Sequence, residues 1–180
     1  MKRVRNRHCF SHILHDCPHR ELKKRFPHAV INVIVTSIGG ENSSRGAQRF
    51  EKDVLRHNPD LVTIDYALND RRLGLEKAKA CWEQMIGAAK AKGVKVVLLT
   101  PTADTRSKMD SPDDSLNQHA TQIRTLAAQH GVALVDSLAA FKAYSAEAGK
   151  LKDLMSQTNH PNRKGHDLVV GELMKWFPKP

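Results

Sequence analysis

Three short segments carry residues whose types suit polar catalysis. Thr36-Ser37-Ile38-Gly39-Gly40-Glu41-Asn42-Ser43-Ser44-Arg45-Gly46 is a glycine-rich turn. Such a turn lets a ligand approach the backbone closely and leaves an N–H free. It lacks the Gly-Lys-Ser/Thr ending of a phosphate loop. Ala67-Leu68-Asn69-Asp70 places two polar residues directly after an apolar run. One reading is a cap on the next helix; the other is an Asn69 amide that donates to a developing oxyanion. Near the C-terminus stands Asn159-His160-Pro161-Asn162-Arg163-Lys164-Gly165-His166. A histidine fixed before a proline and a helix suits a general base near neutral pH.

The elements that must position these residues follow from periodicity. Four short apolar runs read as strands: Ala29 to Val35, Asp60 to Tyr66, Val94 to Thr100 and Val132 to Asp136. Their near-continuous apolar character is that of parallel strands buried on both faces. Helical spacing marks Ala47 to Arg56, Leu73 to Ala91, Ser115 to His130 and Gly165 to Trp176. Gly93 and Gly131 follow two of these helices, as C-terminal glycines do. Strand alternating with helix predicts an α/β domain with a parallel sheet and helices on both faces. Ligands then bind at the carboxyl ends of the strands. The loops after Val35, Tyr66 and Thr100 are therefore where chemistry is expected. Leu168, Val169, Leu173 and Trp176 are expected to face inward on the last helix.

Composition narrows the class. The chain has 180 residues and is 40% hydrophobic, enough for one packed core. It has no run of about 18 apolar residues, so no membrane-spanning helix is expected. No apolar stretch follows the basic start, so no signal peptide is expected. The three cysteines, Cys9, Cys17 and Cys81, have no framework spacing. They read as reduced thiols in a cytoplasmic setting. Cys81, Trp82, Met85 and Met174 read as packing residues. The formal charge is +10, with Lys2, Arg3, Arg5, Arg7, Arg20, Lys23, Lys24 and Arg25 near the N-terminus. Without interleaved aromatics this run reads as a solvated tail and a polar helix face, not a nucleic-acid surface. Residues 1–25 are expected to be a poorly ordered or helical basic segment before a domain spanning 26–180. His8, Cys9, His12, His15, Cys17 and His19 match no common zinc spacing, and Pro18 is expected to interrupt a helix there. No cofactor or metal is expected.

Taken together, the three motifs resemble the SGNH/GDSL hydrolase family, over roughly residues 20–177. Gly40 matches the glycine of the second conserved block, with Gly39 the alternative. Asn69 matches the Asn of Gly-x-Asn-Asp, although Ala67 stands where the family has glycine. His160 matches the catalytic His, followed by Pro161, Asn162, Gly165 and His166. Arg49-Phe50-Glu51 and Pro59-Asp60-Leu61-Val62 also read like the family. The resemblance implies a flavodoxin-like three-layer sandwich. It further implies an acylhydrolase or acetyl esterase acting on a small-molecule or carbohydrate ester.

Two departures stand against that pattern. Gln157 occupies the position of the triad Asp, three before His160. Gln carries no charge to stabilise an imidazolium; it can still orient the ring, and Asp153 is a nearby substitute. The Gly-Asp-Ser block that supplies the nucleophile is absent. The nearest serine is Ser11, without the Gly or the Asp, so no nucleophile is assigned. With that block goes an inner strand, so the sheet must lack or rearrange its first strand. The expected rearrangement brings Ala29 to Val35 alongside Asp60 to Tyr66, with residues 2–8 outside the sheet. Two explanations are open: a shortened reading frame of an active esterase, or a non-catalytic SGNH-like remnant or binding domain.

Overall fold

A computed structural model describes residues 11–179, and their side chains from residue 18 onward. The first described element is helix α1 (Ser11–Arg25). It continues through Pro18, which the sequence reading expects to interrupt it. Packing compensates for the lost backbone donor: Leu22 packs against Val170 and Met174 near the C-terminus of the chain. Arg25 Nη1 donates to the carbonyls of Met174 and Phe177. Both carbonyls lie at or just beyond the C-terminal end of the last helix, where acceptors are not used up by the helix itself.

Next comes α2 (Ser43–Arg49), capped by Asn42, whose side chain accepts from the Arg45 N–H. A π-turn (Phe50–Val54) and a 3-10 turn (Leu55–His57) extend it, which covers the helix expected over Ala47 to Arg56. Strand β1 (Leu61–Ile64) leads into the single-turn α3 (Ala67–Asp70) and then α4 (Leu75–Ala91). Strand β2 (Lys95–Leu99), α5 (Ser115–His130), β3 (Ala133–Val135) and α6 (Ser137–Glu147) follow. A 3-10 turn (Leu151–Leu154) precedes a hairpin of β4 (Met155–Gln157) and β5 (His160–Pro161), and α7 (Arg163–Met174) closes the chain.

Strands β1, β2 and β3 form one parallel sheet in that spatial order. Ile64 lies beside Leu98, and Leu99 beside Val135. Successive strand side chains point to opposite faces, and here both faces are covered. Val62, Ile64, Val96 and Leu98 pack with Trp82, Met85, Ile86, Ile123 and Leu126 from α4 and α5. Val97, Leu99 and Val135 pack with Phe141, Val169 and Leu173 from α6 and α7. This is the expected α/β sandwich with helices on both faces of a parallel sheet. Trp176, expected to face inward, is 52% exposed and donates its indole N–H to the Leu134 carbonyl. It lies just beyond the last turn of α7, where the inward face no longer continues.

The expected rearrangement does not occur. Residues 30–38 form no strand, and β1 pairs only with β2 among the described residues. The run Ala29 to Val35 is extended but unpaired: Lys23 Nζ donates to the Ala29 carbonyl at 2.7 Å, and Val30 and Ile34 stay largely exposed. The sheet therefore lacks, rather than rearranges, that strand among the described residues. The expectation for residues 2–8 lies outside the described residues.

Candidate active site

The glycine loop meets the Asn-Asp tip through two hydrogen bonds. Asn69 Nδ2 donates to the Glu41 carbonyl at 2.8 Å. The Ser43 N–H donates to Asp70 Oδ1 at 2.7 Å, and Trp82 Nε1 donates to Asp70 Oδ2 at 2.7 Å. Asp70 is fully buried, and these donors satisfy its carboxylate. So the Asn-Asp pair does not cap α4, whose N-cap is Gly74 with no side-chain hydrogen bond. Asp70 locks the start of α2 to α4, and Asn69 clamps the loop beside Gly40.

Gly40 has φ +76, a conformation that favours glycine. Nothing lies within 4 Å of the position a side chain would take there. Among the described residues its N–H has no hydrogen-bond partner. The loop thus carries an open backbone donor at Gly40 and a side-chain amide held one residue away. Gly39, the alternative, is equally open but has no positive φ.

A buried ion pair supports this turn from beneath. Glu41 is 4% exposed and accepts from Arg49 Nε at 2.9 and 3.0 Å. Tyr66 OH donates to the same carboxylate at 3.5 Å. Burial and the nearby Glu41 charge push the Tyr66 phenol up to about 12, so it stays a donor. Sequence reasoning missed this support. Glu41 lies in the turn before α2 and Arg49 at its end, so no single element's periodicity joins them.

His160 opens β5, half-buried, and its carbonyl accepts from Ser156 Oγ at 3.0 Å. The following residues hold the hairpin in place. Asn162 caps α7 by accepting from the Gly165 N–H at 3.1 Å, and its amide donates to the Asp153 carbonyl at 2.9 Å. Gly165 lets α7 close on the Leu154 carbonyl; a Cβ there would overlap that oxygen and approach Pro161 Cβ to 2.9 Å. His166 is 3% exposed and neither ring nitrogen has a hydrogen-bond partner among the described residues. Burial pushes its pKa down, so the ring is held neutral.

Gln157 lies opposite His160 in the antiparallel pair. Cross-strand partners share a face, although the register shifts between Met155 and Gln157. It is exposed and makes no hydrogen bond among the described residues. Asp153, the other candidate, accepts from the Lys150 N–H at 2.9 Å and caps the 3-10 turn. Ser11 begins α1, and its side chain is outside the described residues, as are His8 and Cys9. Ser43 stands in the glycine loop, but its hydroxyl is fully buried and cannot meet an ester.

The loop after β2 joins the two halves of the site. The Thr105 N–H donates to the Thr158 carbonyl at 2.7 Å, two residues before His160. Arg71, two residues after Asn69, donates to Asp104 at 2.9 Å. A separate cleft of about 530 Å³, lined by Asn58, Asp60, Lys92 and Lys95, lies at the amino ends of β1 and β2. It lies at the opposite end of the strands from these loops.

Residues 12–168 match the model of the GDSL-like lipase/acylhydrolase family. The chain belongs to that family. Solved structures of similar fold agree in shape. Axe2, an acetylxylan esterase from Geobacillus stearothermophilus, superposes with a TM-score of 0.79 at 20% identity. The match covers 88% of this chain and 77% of that one. LAE5, an alpha/beta hydrolase enzyme from the metagenome of Lake Arreo, Spain, gives 0.80 at 19% identity, covering 97% and 84%. No curated protein matches the chain. No described helix of this GDSL-family chain is long and apolar enough to cross a membrane.

Proposed function

We propose that this chain is a GDSL-type ester hydrolase scaffold. Gly40 N–H and Asn69 Nδ2 form its oxyanion hole, and His160 is its general base. The observation that carries this reading is the Asn69 to Glu41 hydrogen bond. It fixes one amide hydrogen on the loop and leaves the second uncommitted beside the open Gly40 N–H. A tetrahedral oxyanion needs two such fixed donors. In this reading Gln157 orients the imidazole through its amide oxygen. Lacking charge, it gives the imidazolium less support than an Asp would. A small acetyl or carbohydrate ester fits the family and the open loop.

The second reading is a non-catalytic binding or remnant domain. It is favoured by the uncharged Gln157 and by the absence of a Gly-Asp-Ser block from the sequence. Hydrolysis of 4-nitrophenyl acetate separates the two. The ester hydrolase turns it over, Asn69→Ala lowers kcat about 10²–10³-fold, and His160→Ala abolishes the enzymatic rate. Absence of turnover by the folded chain establishes the second reading. In an active chain, Gln157→Asp raises kcat by supplying the missing charge.

A further inference from the structure

One buried histidine stands outside the machinery of Gly40, Asn69 and His160. His119 lies on the inner face of α5, is 3% exposed, and its ring makes no hydrogen bond among the described residues. Two contacts fix what stands opposite it. Three residues earlier, Leu116 packs against Leu68 of α3. Three residues later, Gln122 Nε2 donates to the Leu75 carbonyl at the start of α4, at 2.9 Å. Residues three apart on a helix are surface neighbours. His119 therefore faces the middle of the stretch between Leu68 and Leu75, which opens with Asn69 and Asp70.

Burial pushes the His119 pKa down, Asp70 pushes it up, and Arg71 pushes it down again. The ring is thus neutral near neutral pH. Both charged neighbours are already committed. Asp70 accepts from the Ser43 N–H and from Trp82 Nε1. Arg71 donates to the Leu68 carbonyl, to Asp104 and to Ser107 Oγ. The other charges on the packed elements are turned away or paired. Arg72, Glu76 and Lys77 are exposed, and Lys79 lies in the outer groove with Gln118. Asp104 also accepts from Arg106, Asp114 caps α5, and Lys142 of α6 donates to Asn117 Oδ1. A proton on His119 would be repelled by Arg71 and attracted by Asp70 alone.

We propose that His119 is a positioning residue for the Asn69 clamp. With the ring uncharged, Asp70 is free to hold the Ser43 N–H and the glycine loop. A proton on the ring draws the Asp70 carboxylate toward α5, and Asn69, the preceding residue, leaves the Glu41 carbonyl with it. Histidine suits this task because its charge changes between about pH 5 and 8. The regulation rests on the ester-hydrolase reading, but the clamp can be observed without turnover.

The full chain is titrated from pH 7 to pH 5 by NMR, following the His119 ring, the Asn69 side-chain amide, the Ser43 amide and the Trp82 indole N–H. The three N–H signals shift with the midpoint of the His119 ring. None does so in His119→Gln, and His166→Gln leaves the shifts in place. In hydrolysis of 4-nitrophenyl acetate, the acid-side slope of log kcat against pH falls from about two to about one in His119→Gln, because only the protonation of the general base remains. An Asn69 amide that ignores the His119 midpoint in the unsubstituted chain overturns the proposal, whether or not His119→Gln folds. A transition shared by every backbone amide is global unfolding and also overturns it. A chain that hydrolyses the ester without these shifts keeps the hydrolase reading and loses the positioning role. A chain whose Asn69 follows His119 without turnover keeps the positioning role and loses the hydrolase reading.

Discussion

Two stretches of similar composition meet opposite fates. Val96, Val97, Leu98 and Leu99 of β2 are all buried, between paired strands and two helical layers. Residues 29–35, Ala-Val-Ile-Asn-Val-Ile-Val, are as β-branched, yet Val30 is 90% exposed and Ile34 56%. The difference is the neighbour, not the residue. β-propensity measures fit to a pleated, half-buried surface, and only β2 is offered one on both sides. In this family scaffold, the side of the sheet toward β3 is a finished core and the side beyond β1 is not.

The comparison can be broken by substitution. Trp82→Ala should have the largest effect, a loss of about 3–5 kcal/mol in denaturant unfolding. It removes a fully buried ring and leaves the Asp70 carboxylate without its indole donor. Gly165→Ala should cost about 1–3 kcal/mol by forcing α7 off the Leu154 carbonyl. Any esterase activity should fall further than stability predicts, because the His160 hairpin moves with that contact. Acid should also act on the finished side. Burial lowers the pKa of both His119 and His166, so between their folded values and the ordinary value of about 6.5 the unfolded chain binds more protons. Their stability contribution is full above that pH and is lost as pH falls below it. Unfolding at pH 7 and pH 5 should show this slope, and His119→Gln with His166→Gln should flatten it. Asp104 adds its own loss only further down, as pH falls toward about 2. Val30→Ser and Ile34→Ser should change stability by no more than about 0.5 kcal/mol. A core-sized loss there would show the outer segment to be packed after all.

The sequence made the finished side legible because its signals are local. The apolar run of β2, the helical spacing around Trp82, Met85 and Ile86, and the glycine after α5 each specify an element without reference to distant residues. The outer segment carried the same local signal and misled, because pairing is decided by what lies alongside. The site was half legible for the same reason. Gly40, Asn69 and His160 stand in recognisable motifs. Their supports do not: Glu41 with Arg49, Asp70 with Ser43 and Trp82, and Thr105 with Thr158 are contacts between loops that no spacing announces. Asp104, among Pro101 to Arg106, gave no hint that two arginines would share it.

Among the described residues β1 pairs only with β2, and Val30, Ile34, Val35 and Ile38 are exposed, which has a consequence for the chain in solution. Apolar extended segments next to an unpaired strand edge are templates for association with other chains. The protein opposes this with a formal charge of +10, which keeps like molecules apart. That protection is only as long as the Debye length, about 8 Å at physiological ionic strength and about 3 Å at 1 M. Colloidal behaviour should therefore be governed by salt: freely dispersed when dilute in electrolyte, and increasingly prone to strand-edge association as the repulsion is screened.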